Sequence, residues 1–384
     1  MRIAVDSWTL ASRFRCQGTY VYTHNLLREF KKIARQDSAV RFSLFASGRN
    51  GNDAIHIAPE ERFELCSSLL LDHDRLWRFG GAGFSASRSR ADVMFIPTAA
   101  TLPVGRVPAV CTIHDVTPIT MPSHSAKVSA IQRFLLKGCA RLSRMIITSS
   151  ECSKRDIVAL LGVPEEKVVV IHDGCDQSLF NAEPPDMETL AALRSRLGIE
   201  RPYLLHHGTI QPRKNLKRLI EAYHLMLAHN ADLDSDLVLA GQQGWASDEI
   251  VNAATTSRDR GKVILAGVLG DSDLALLIKG ARLAVVPSLY EGFSLPMVEA
   301  MACGVPTIAS RTSCLPEISG NALAYFDPLS VEDMASCMHA VLCNSELSSS
   351  LRQKGTDRAR GFTWERCARE TLNVLKKVAQ AGHH

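Results

Sequence analysis

Short apolar runs alternate with amphipathic stretches of helical period along nearly the whole chain, and no other feature limits its fold as much. Strands buried on both faces of a parallel sheet read as continuous apolar runs, and parallel neighbours need a crossover helix between them. The alternation therefore predicts an α/β fold of doubly wound parallel sheets with helices on both faces. In the first half the strand candidates are Arg2–Asp6, Arg41–Ala46, Asp92–Pro97, Ala109–His114, Met145–Ser149 and Val168–His172. Helices are expected over Gly18–Asp37, whose Val21, Leu26, Leu27, Phe30, Ile33 and Ala34 share a face, and over Ala126–Leu142 and Ser153–Leu161.

The pattern lapses over Asp173–Ile199, where Asp-Gly, Pro184-Pro185 and several acids mark a connection holding one short helix. It restarts with strands at Tyr203–His207, Leu237–Ala240, Val263–Ala266, Leu283–Pro287 and Thr307–Ala309, with a helix at Asn215–Ala228 and others between. Three helical stretches follow, near Val331–Cys343, Ser345–Arg360 and Trp364–Gln380. At ~100–200 residues per domain, 384 residues make two domains. The expected division is 1–180, 181–365, and a last helix, 366–384, packing back on the first domain. Ligands of open α/β sheets lie outside the carboxyl ends of the strands, so two such lobes place a ligand between them.

Composition removes several classes. With 46% apolar and 22% charged residues the chain is no disordered polymer. No uninterrupted apolar run approaches the ~18–20 residues of a membrane span. Met1-Arg-Ile-Ala-Val-Asp6 goes straight into a strand pattern, which predicts no signal peptide. The 11 cysteines are scattered without a Cys-x-x-Cys pair, as expected of reduced, buried thiols in a cytoplasmic protein. Net charge is +4 overall but uneven: residues 1–180 carry 23 Lys+Arg against 17 Asp+Glu, the remainder 21 against 23. The basic half suits an anionic partner.

The strongest local signal runs from Leu283 to Pro306. A buried strand ends at Pro287-Ser288. A loop then carries Glu291 and the amides of Gly292, Phe293, Ser294 and Leu295. Pro296 suits the first helical position, and Glu299 falls in the first turn. Amides at a helix N-terminus make an anion site suited to a diphosphate. Two acids there would repel phosphate unless they accept hydrogen bonds from sugar hydroxyls; the bland alternative for Glu299 is simple compatibility with a helix start. A second segment, His206-His-Gly-Thr-Ile-Gln-Pro-Arg-Lys-Asn-Leu-Lys217, ends a strand, turns at Gly208 and sets Arg213 and Lys214 before a helix. Two cations at such a junction suit a leaving diphosphate, although a solvated basic turn has the same pattern.

Glu291-x₇-Glu299 with Ala-Cys-Gly-Val-Pro306, together with Gly208-Thr-Ile-Gln-Pro-Arg-Lys-Asn215, resembles the retaining GT-B glycosyltransferases of the family 4 type. Ile113-His114-Asp115-Val-Thr-Pro118, Ser149-Ser-Glu-Cys-Ser-Lys-Arg-Asp156 and Phe362-Thr-Trp-Glu365 extend the likeness over nearly the whole chain. Within that family the sequence looks most like mannosyltransferases of bacterial O-antigen and related surface glycans. The resemblance implies two Rossmann-like domains facing across a cleft, with C-terminal helices. It implies transfer of a hexose, α-mannose from GDP-mannose, to a glycan or lipid-linked glycan acceptor. No metal and no cofactor beyond the nucleotide sugar are implied, and no nucleic acid.

Residue by residue, the resemblance points to Glu299 for the ribose hydroxyls, Glu291 for a hydroxyl of the transferred sugar, and Gly292 and the amides of Phe293 to Leu295 for sugar and phosphate. Lys214 matches the family's diphosphate-binding Lys. Thr209 stands after Gly208 where the family often has Arg, and Arg213 is the candidate to supply that charge. Val268 falls where the family holds the base through backbone contacts. In the first lobe, His114 would sit against the transferred sugar and Gly18 near the diphosphate, with Asp115 and Tyr20 on the acceptor side. The implied chemistry is front-face attack through an oxocarbenium-like state, with the leaving group held by Lys214, Arg213 and helix amides.

Asp72-His-Asp74 and Asp271-Ser-Asp273 both fit the Asp-x-Asp of single-lobed, metal-dependent transferases, but the second pair reads as helix caps and the first as part of a helix before Trp77. On the acceptor side, Arg133, Lys137, Arg141 and Arg144 share a face of Ala126–Arg144, with Val128, Ile131, Leu135 and Leu142 on another. Leu69-Leu-Leu, Trp77, Phe79 and Phe84 stand among Arg75, Arg78, Arg88 and Arg90. Both suit peripheral attachment to the cytoplasmic face of an anionic inner membrane. Two alternatives stay open, a UDP-glucose or UDP-GlcNAc transferase and a non-catalytic partner of that fold. Two others are disfavoured: an exported solute-binding protein, which is expected to carry a signal peptide, and a nicotinamide dehydrogenase. The last lacks Gly-x-Gly-x-x-Gly after its first strand.

Overall fold

The computed structural model describes residues 1–10, 18–47, 62–68, 76–121, 126–256 and 261–381. Asp72, Asp74, Leu69–Leu71, Arg75 and Gln17 lie outside them. The chain divides into two units: Met1–Gly174 joined by the last helix, Trp364–Ala381, and Cys175–Thr363.

The first unit holds seven parallel strands: β1 Arg2–Asp6, β2 Arg41–Ser47, β3 Phe63–Ser68, β4 Val93–Ile96, β5 Ala109–Thr112, β6 Met145–Thr148 and β7 Val168–Val170, in the order β3-β2-β1-β4-β5-β6-β7. Ile3 lies opposite Phe42 on one side and Val93 on the other, and all three side chains are fully buried. Continuous burial on both faces is why these runs lack an alternating pattern. The second unit holds β8 Tyr203–His207, β9 Asp236–Ala240, β10 Val263–Gly267, β11 Leu283–Val286, β12 Thr307–Ser310 and β13 Ala324–Phe326, in the order β10-β9-β8-β11-β12-β13. In each sheet the chain winds outward from a central strand and returns to its other side. The loops leaving β1 and β4, and those leaving β8 and β11, diverge and open a crevice at the carboxyl ends.

Helix boundaries follow capping chemistry. Ser150 caps Glu151–Leu161 by accepting from Ser153 N at 3.1 Å, so this helix starts two residues before the sequence-based position. Asp186 caps Met187–Leu197, the one helix of the connection, and Gly198 ends it at φ +70°. Ser330 and Asn344 cap the next two terminal helices. Asp271 and Asp273 are not caps: Gly270 holds that position, and Asp273 pairs with Arg196 at 2.5 Å.

The last helix buries Trp364, Cys367, Ala368, Thr371, Leu372, Leu375, Val378 and Ala379, a stripe at three- to four-residue spacing. It packs on helix Gly18–Gln36 and on β4, β5 and β6. Trp364 meets the ring of Tyr22 edge-on at 6.0 Å, and Lys376 pairs with Asp37 at 3.3 Å. Burying each large apolar side chain of this kind contributes about 1.5–3 kcal/mol, so the helix is part of the first unit's core.

Candidate functional site

The crevice between β8 and β11 collects most of the residues singled out in the sequence. Beyond β8 the chain turns at Gly208, at φ +135°, and a Cβ on neighbouring Gly241 would lie 2.0 Å from Gly208 O. Side chains are excluded from Gly241 by this approach of two backbones. A short turn, Pro212–Lys214, follows, then helix Leu216–His229. Beyond β11 a loop leads through Ser294, at φ +73°, into helix Leu295–Ala302. Pro296 is the second helical residue. Glu299 lies in the second turn rather than the first, too far along to serve the helix start.

Arg213, Lys214 and Glu291 form one cluster. Lys214 Nζ donates to Glu291 Oε1 at 2.5 Å, Ser288 Oγ donates to the same oxygen at 2.6 Å, and Arg213 Nη1 donates to Oε2 at 2.7 Å. Arg213 also donates to Tyr290 O, and Leu289 N donates to Arg213 O at 2.9 Å, tying the two loops together. Glu291 N donates to Ser313 Oγ at 3.0 Å. Burial alone pushes the Glu291 carboxyl up. The Arg213 and Lys214 charges, with hydrogen bonds from Lys214 and Ser288, outweigh burial and hold it well below the usual carboxylate range. The basic turn is therefore not a solvated one: the Lys214 side chain is 8% exposed and that of Arg213 17%.

Glu299 meets a residue to which the sequence assigned no role. His207, the last residue of β8, donates from Nε2 to Glu299 Oε2 at 2.9 Å. His206 turns the other way. Its Nδ1 donates to Val285 O at 2.9 Å, which leaves Nε2 an acceptor, buried and without a partner. Burial and the Lys214 charge pull His206 down to about 3, so it is a neutral imidazole. That Nε2, Lys214 Cε and Pro296 Cγ surround the space a Cβ on Gly208 would fill. Ser294 Oγ, at the helix start, is likewise buried without a partner. Unpaired buried polar atoms cost about 1–3 kcal/mol each, and these two at one crevice are atoms that a polar ligand could satisfy. Phe293 is buried against Phe362, edge-on at 5.5 Å, so only its backbone can serve a ligand. Val268 follows β10 and is 55% exposed.

In the first unit, His114 sits two residues past β5, just beyond the bond from Ile113 N to Ile147 O at 2.9 Å that ties this strand end to β6. Its Nε2 donates to Pro97 O at 3.1 Å, beside the end of β4. Burial pulls its pKa down, against the Asp115 charge and the Pro97 bond, and Nδ1 is left as an acceptor. Tyr22 rather than Tyr20 touches it, edge-on at 4.6 Å, and Tyr22 OH pairs with Thr112 Oγ1 at 3.1 Å. Tyr20 stacks on His24, Asp115 accepts from Thr117 N at 2.9 Å, and Gly18 starts its helix with open space beside it. Asp6, at the end of β1, accepts from Trp77 Nε1 at 2.9 Å; burial pushes its carboxyl up.

The basic helix differs from its sequence pattern. Leu135 is buried, whereas Val128, Phe134 and Leu142 face outward, and Arg144 lies past the helix end. Phe134 stacks on exposed Phe79 at 5.9 Å, with Leu76 and Phe84 also exposed and Arg88 over Phe84.

Two Rossmann-like units, each opening at its own switch point, define the GT-B class. Sucrose-phosphate synthase from Thermosynechococcus elongatus has the same fold: TM-score 0.74 at 18% identity, over 99% of this chain and 100% of that one. The family model "Glycosyl transferases group 1" matches residues 192–358, and "Glycosyltransferase Family 4" matches 17–179. O-antigen chain mannosyltransferase B of Escherichia coli is 32% identical over 270 residues, 70% of either chain. The serotype-specific mannosyltransferase WbdA of Escherichia coli is 26% identical over 73% of this chain, which spans only 35% of that longer protein. The chain belongs to the group 1 (family 4) glycosyltransferases and is an enzyme of that kind.

Proposed function

We propose that the chain transfers mannose from GDP-mannose to a growing surface glycan, retaining the α configuration. Both relatives named above are mannosyltransferases, and one is named for the O-antigen chain. The observation that carries the site assignment is the buried Ser288–Glu291–Lys214–Arg213 cluster at the β8/β11 crevice. As the bond between sugar and diphosphate breaks, negative charge grows on the leaving oxygen. Lys214, Arg213 and the amides of Gly292 to Leu295 are fixed where they can meet that charge, and preorganised donors of this kind act without reorganisation. Glu291 holds the two cations in place, and its Oε2, which accepts one bond where Oε1 accepts two, keeps a lone pair for a sugar hydroxyl. Glu299 accepts from the ribose and Val268 offers its backbone to the base. His114, a neutral imidazole with Nδ1 as acceptor, suits a hydroxyl of the transferred sugar. Asp115 and Tyr20 serve the acceptor. The departing phosphate oxygen takes the acceptor's proton, so no further base is needed.

The test is turnover by the purified chain across GDP-mannose, UDP-glucose and UDP-GlcNAc, with the fresh product read by NMR. GDP-mannose is expected to be consumed and an α linkage to appear. Turnover of UDP sugars alone would reject the donor, a β linkage the mechanism, and no turnover of any donor the enzyme reading.

A lipid-linked acceptor at the cytoplasmic membrane face is favoured by one surface. Phe79 and Phe134 are exposed and stack on each other, Phe84 is exposed beneath Arg88, and Arg133, Lys137 and Arg141 are exposed on the helix that carries Phe134. Among the described residues no helix is long and apolar enough to cross a membrane.

A further inference from the structure

The hydrogen bond between His207 and Glu299 joins the last residue of β8 to the second turn of helix Leu295–Ala302. Both side chains are largely buried, at 6% and 14% exposure. A carboxylate only accepts, so His207 Nε2 is the donor and its proton is fixed there. Glu299 Oε2 is thereby taken, while Oε1 makes no hydrogen bond among the described residues. The His207 backbone is held in the sheet: it pairs in register with Ala240 of β9, and the next residue, Gly208, leaves the strand at φ +135°. One oxygen of Glu299 is anchored to the sheet and the other is turned loose.

We propose that His207 is a positioning residue for nucleotide binding: it fixes the Glu299 carboxylate so that the second oxygen is presented to the ribose hydroxyls. The inference rests on the reading of Glu299 as the ribose acceptor. An unanchored Glu has three rotatable bonds to order when the nucleotide arrives. A held one has already lost that freedom, and preorganisation of this kind appears as affinity. His207 touches no reacting atom and acts only through Glu299.

The experiment measures dissociation constants of GDP and of 2′,3′-dideoxy-GDP, with UDP and its dideoxy form in parallel, for wild type, His207→Phe, His207→Gln and Glu299→Ala. Whichever ribonucleotide the wild type binds more tightly is the probe. His207→Phe should weaken the ribonucleotide about tenfold, the order of one charge-assisted hydrogen bond, and should raise KM for the donor more than it lowers kcat. It should leave the dideoxy nucleotide within about twofold, because that probe gives Glu299 nothing to hold. His207→Gln, which keeps a donor near the Nε2 position, should recover most of the ribonucleotide affinity. Equal losses on both probes would mean that His207 merely supports the fold and would overturn the inference. Wild-type affinity in His207→Phe beside weakened Glu299→Ala would overturn it while sparing the ribose reading. Unchanged affinity in folded Glu299→Ala would remove both. Should His207→Phe not fold, His207→Leu takes its place with the same outcomes: a loss confined to the ribonucleotide upholds the inference, and equal losses on both probes, or none, overturn it.

Discussion

Replacing Lys214 by Met keeps the length of the side chain and removes its charge, leaving Glu291 buried with Arg213 and Ser288 as partners. Lys214 Nζ lies 2.5 Å from Glu291 Oε1, and the two side chains are 8% and 7% exposed. Removing one member of a buried pair costs about 3–5 kcal/mol, mostly from the charge left behind. The two remaining partners of Glu291 argue for the lower end, about 3 kcal/mol, which lowers a melting temperature by roughly 6–12 °C in a unit of this size. Glu291→Gln should also destabilise. The double variant, with neither charge, should cost less than the sum of the two, by about 2 kcal/mol. Calorimetry of the four proteins gives the coupling, followed through the transition of the second unit. The pH dependence has a definite sign. The folded carboxyl lies below its ordinary 4.5, so its contribution is complete above about that pH and is lost as the pH falls toward the folded value. The gap between wild type and Lys214→Met should therefore narrow as the pH falls from 6 to 3. Additive single costs, or a gap independent of pH, would refute the cluster as the support of this site.

Asp173, with Oδ1 buried and unpartnered, is pushed up by burial from the ordinary 3.8 to about 7. Its contribution is complete below about 3.8 and lost as the pH rises through about 7, a swing of roughly 4 kcal/mol. Asp173→Asn should flatten the fall in first-unit stability between pH 5 and 8; an unchanged slope in calorimetry would contradict this. The surface around the exposed Phe79–Phe134 pair should bind anionic vesicles at low salt, release them at high salt and leave neutral vesicles alone, because each nearby cation contributes about 1 kcal/mol and salt screens it. Co-sedimentation of Phe79→Ser/Phe134→Ser and of Arg133, Lys137 and Arg141 replaced together by Gln tests it; binding equal to wild type in both would leave this an ordinary surface.

The long central strands were legible because their burial on both faces leaves uninterrupted apolar runs. The edge strands β3 and β13 were not. Phe63-Glu-Leu-Cys-Ser-Ser68 mixes polar residues into a strand paired on one side only, and Ala324–Phe326 is three residues long. In the second unit the sequence pointed to Glu291, Glu299, Arg213, Lys214 and Gly208 from their neighbours alone. What it could not supply was who holds whom. Glu291 and Lys214 are 77 residues apart and meet only because β8 and β11 are neighbours across the switch point. The two cations assigned to a diphosphate are thus already engaged with the carboxylate assigned to a sugar. His206 and His207 carry one further usable signal: two imidazoles ending an apolar strand immediately before a glycine turn. Tyr22, inside an ordinary helical stripe, gave none.

The last helix belongs to the unit that begins the chain, while the second unit is one unbroken stretch from Cys175 to Thr363. On a ribosome the order of completion is therefore inverted. The second unit can close as soon as its own residues have emerged, but the first must wait with Tyr22 and the β4–β6 face uncovered until Trp364–Ala381 is made. At synthesis rates of about 5–20 residues per second, that leaves an apolar surface open for ten seconds or more, roughly. A chaperone that binds nascent apolar surface would find its longest-lived target on the half of the protein synthesised first.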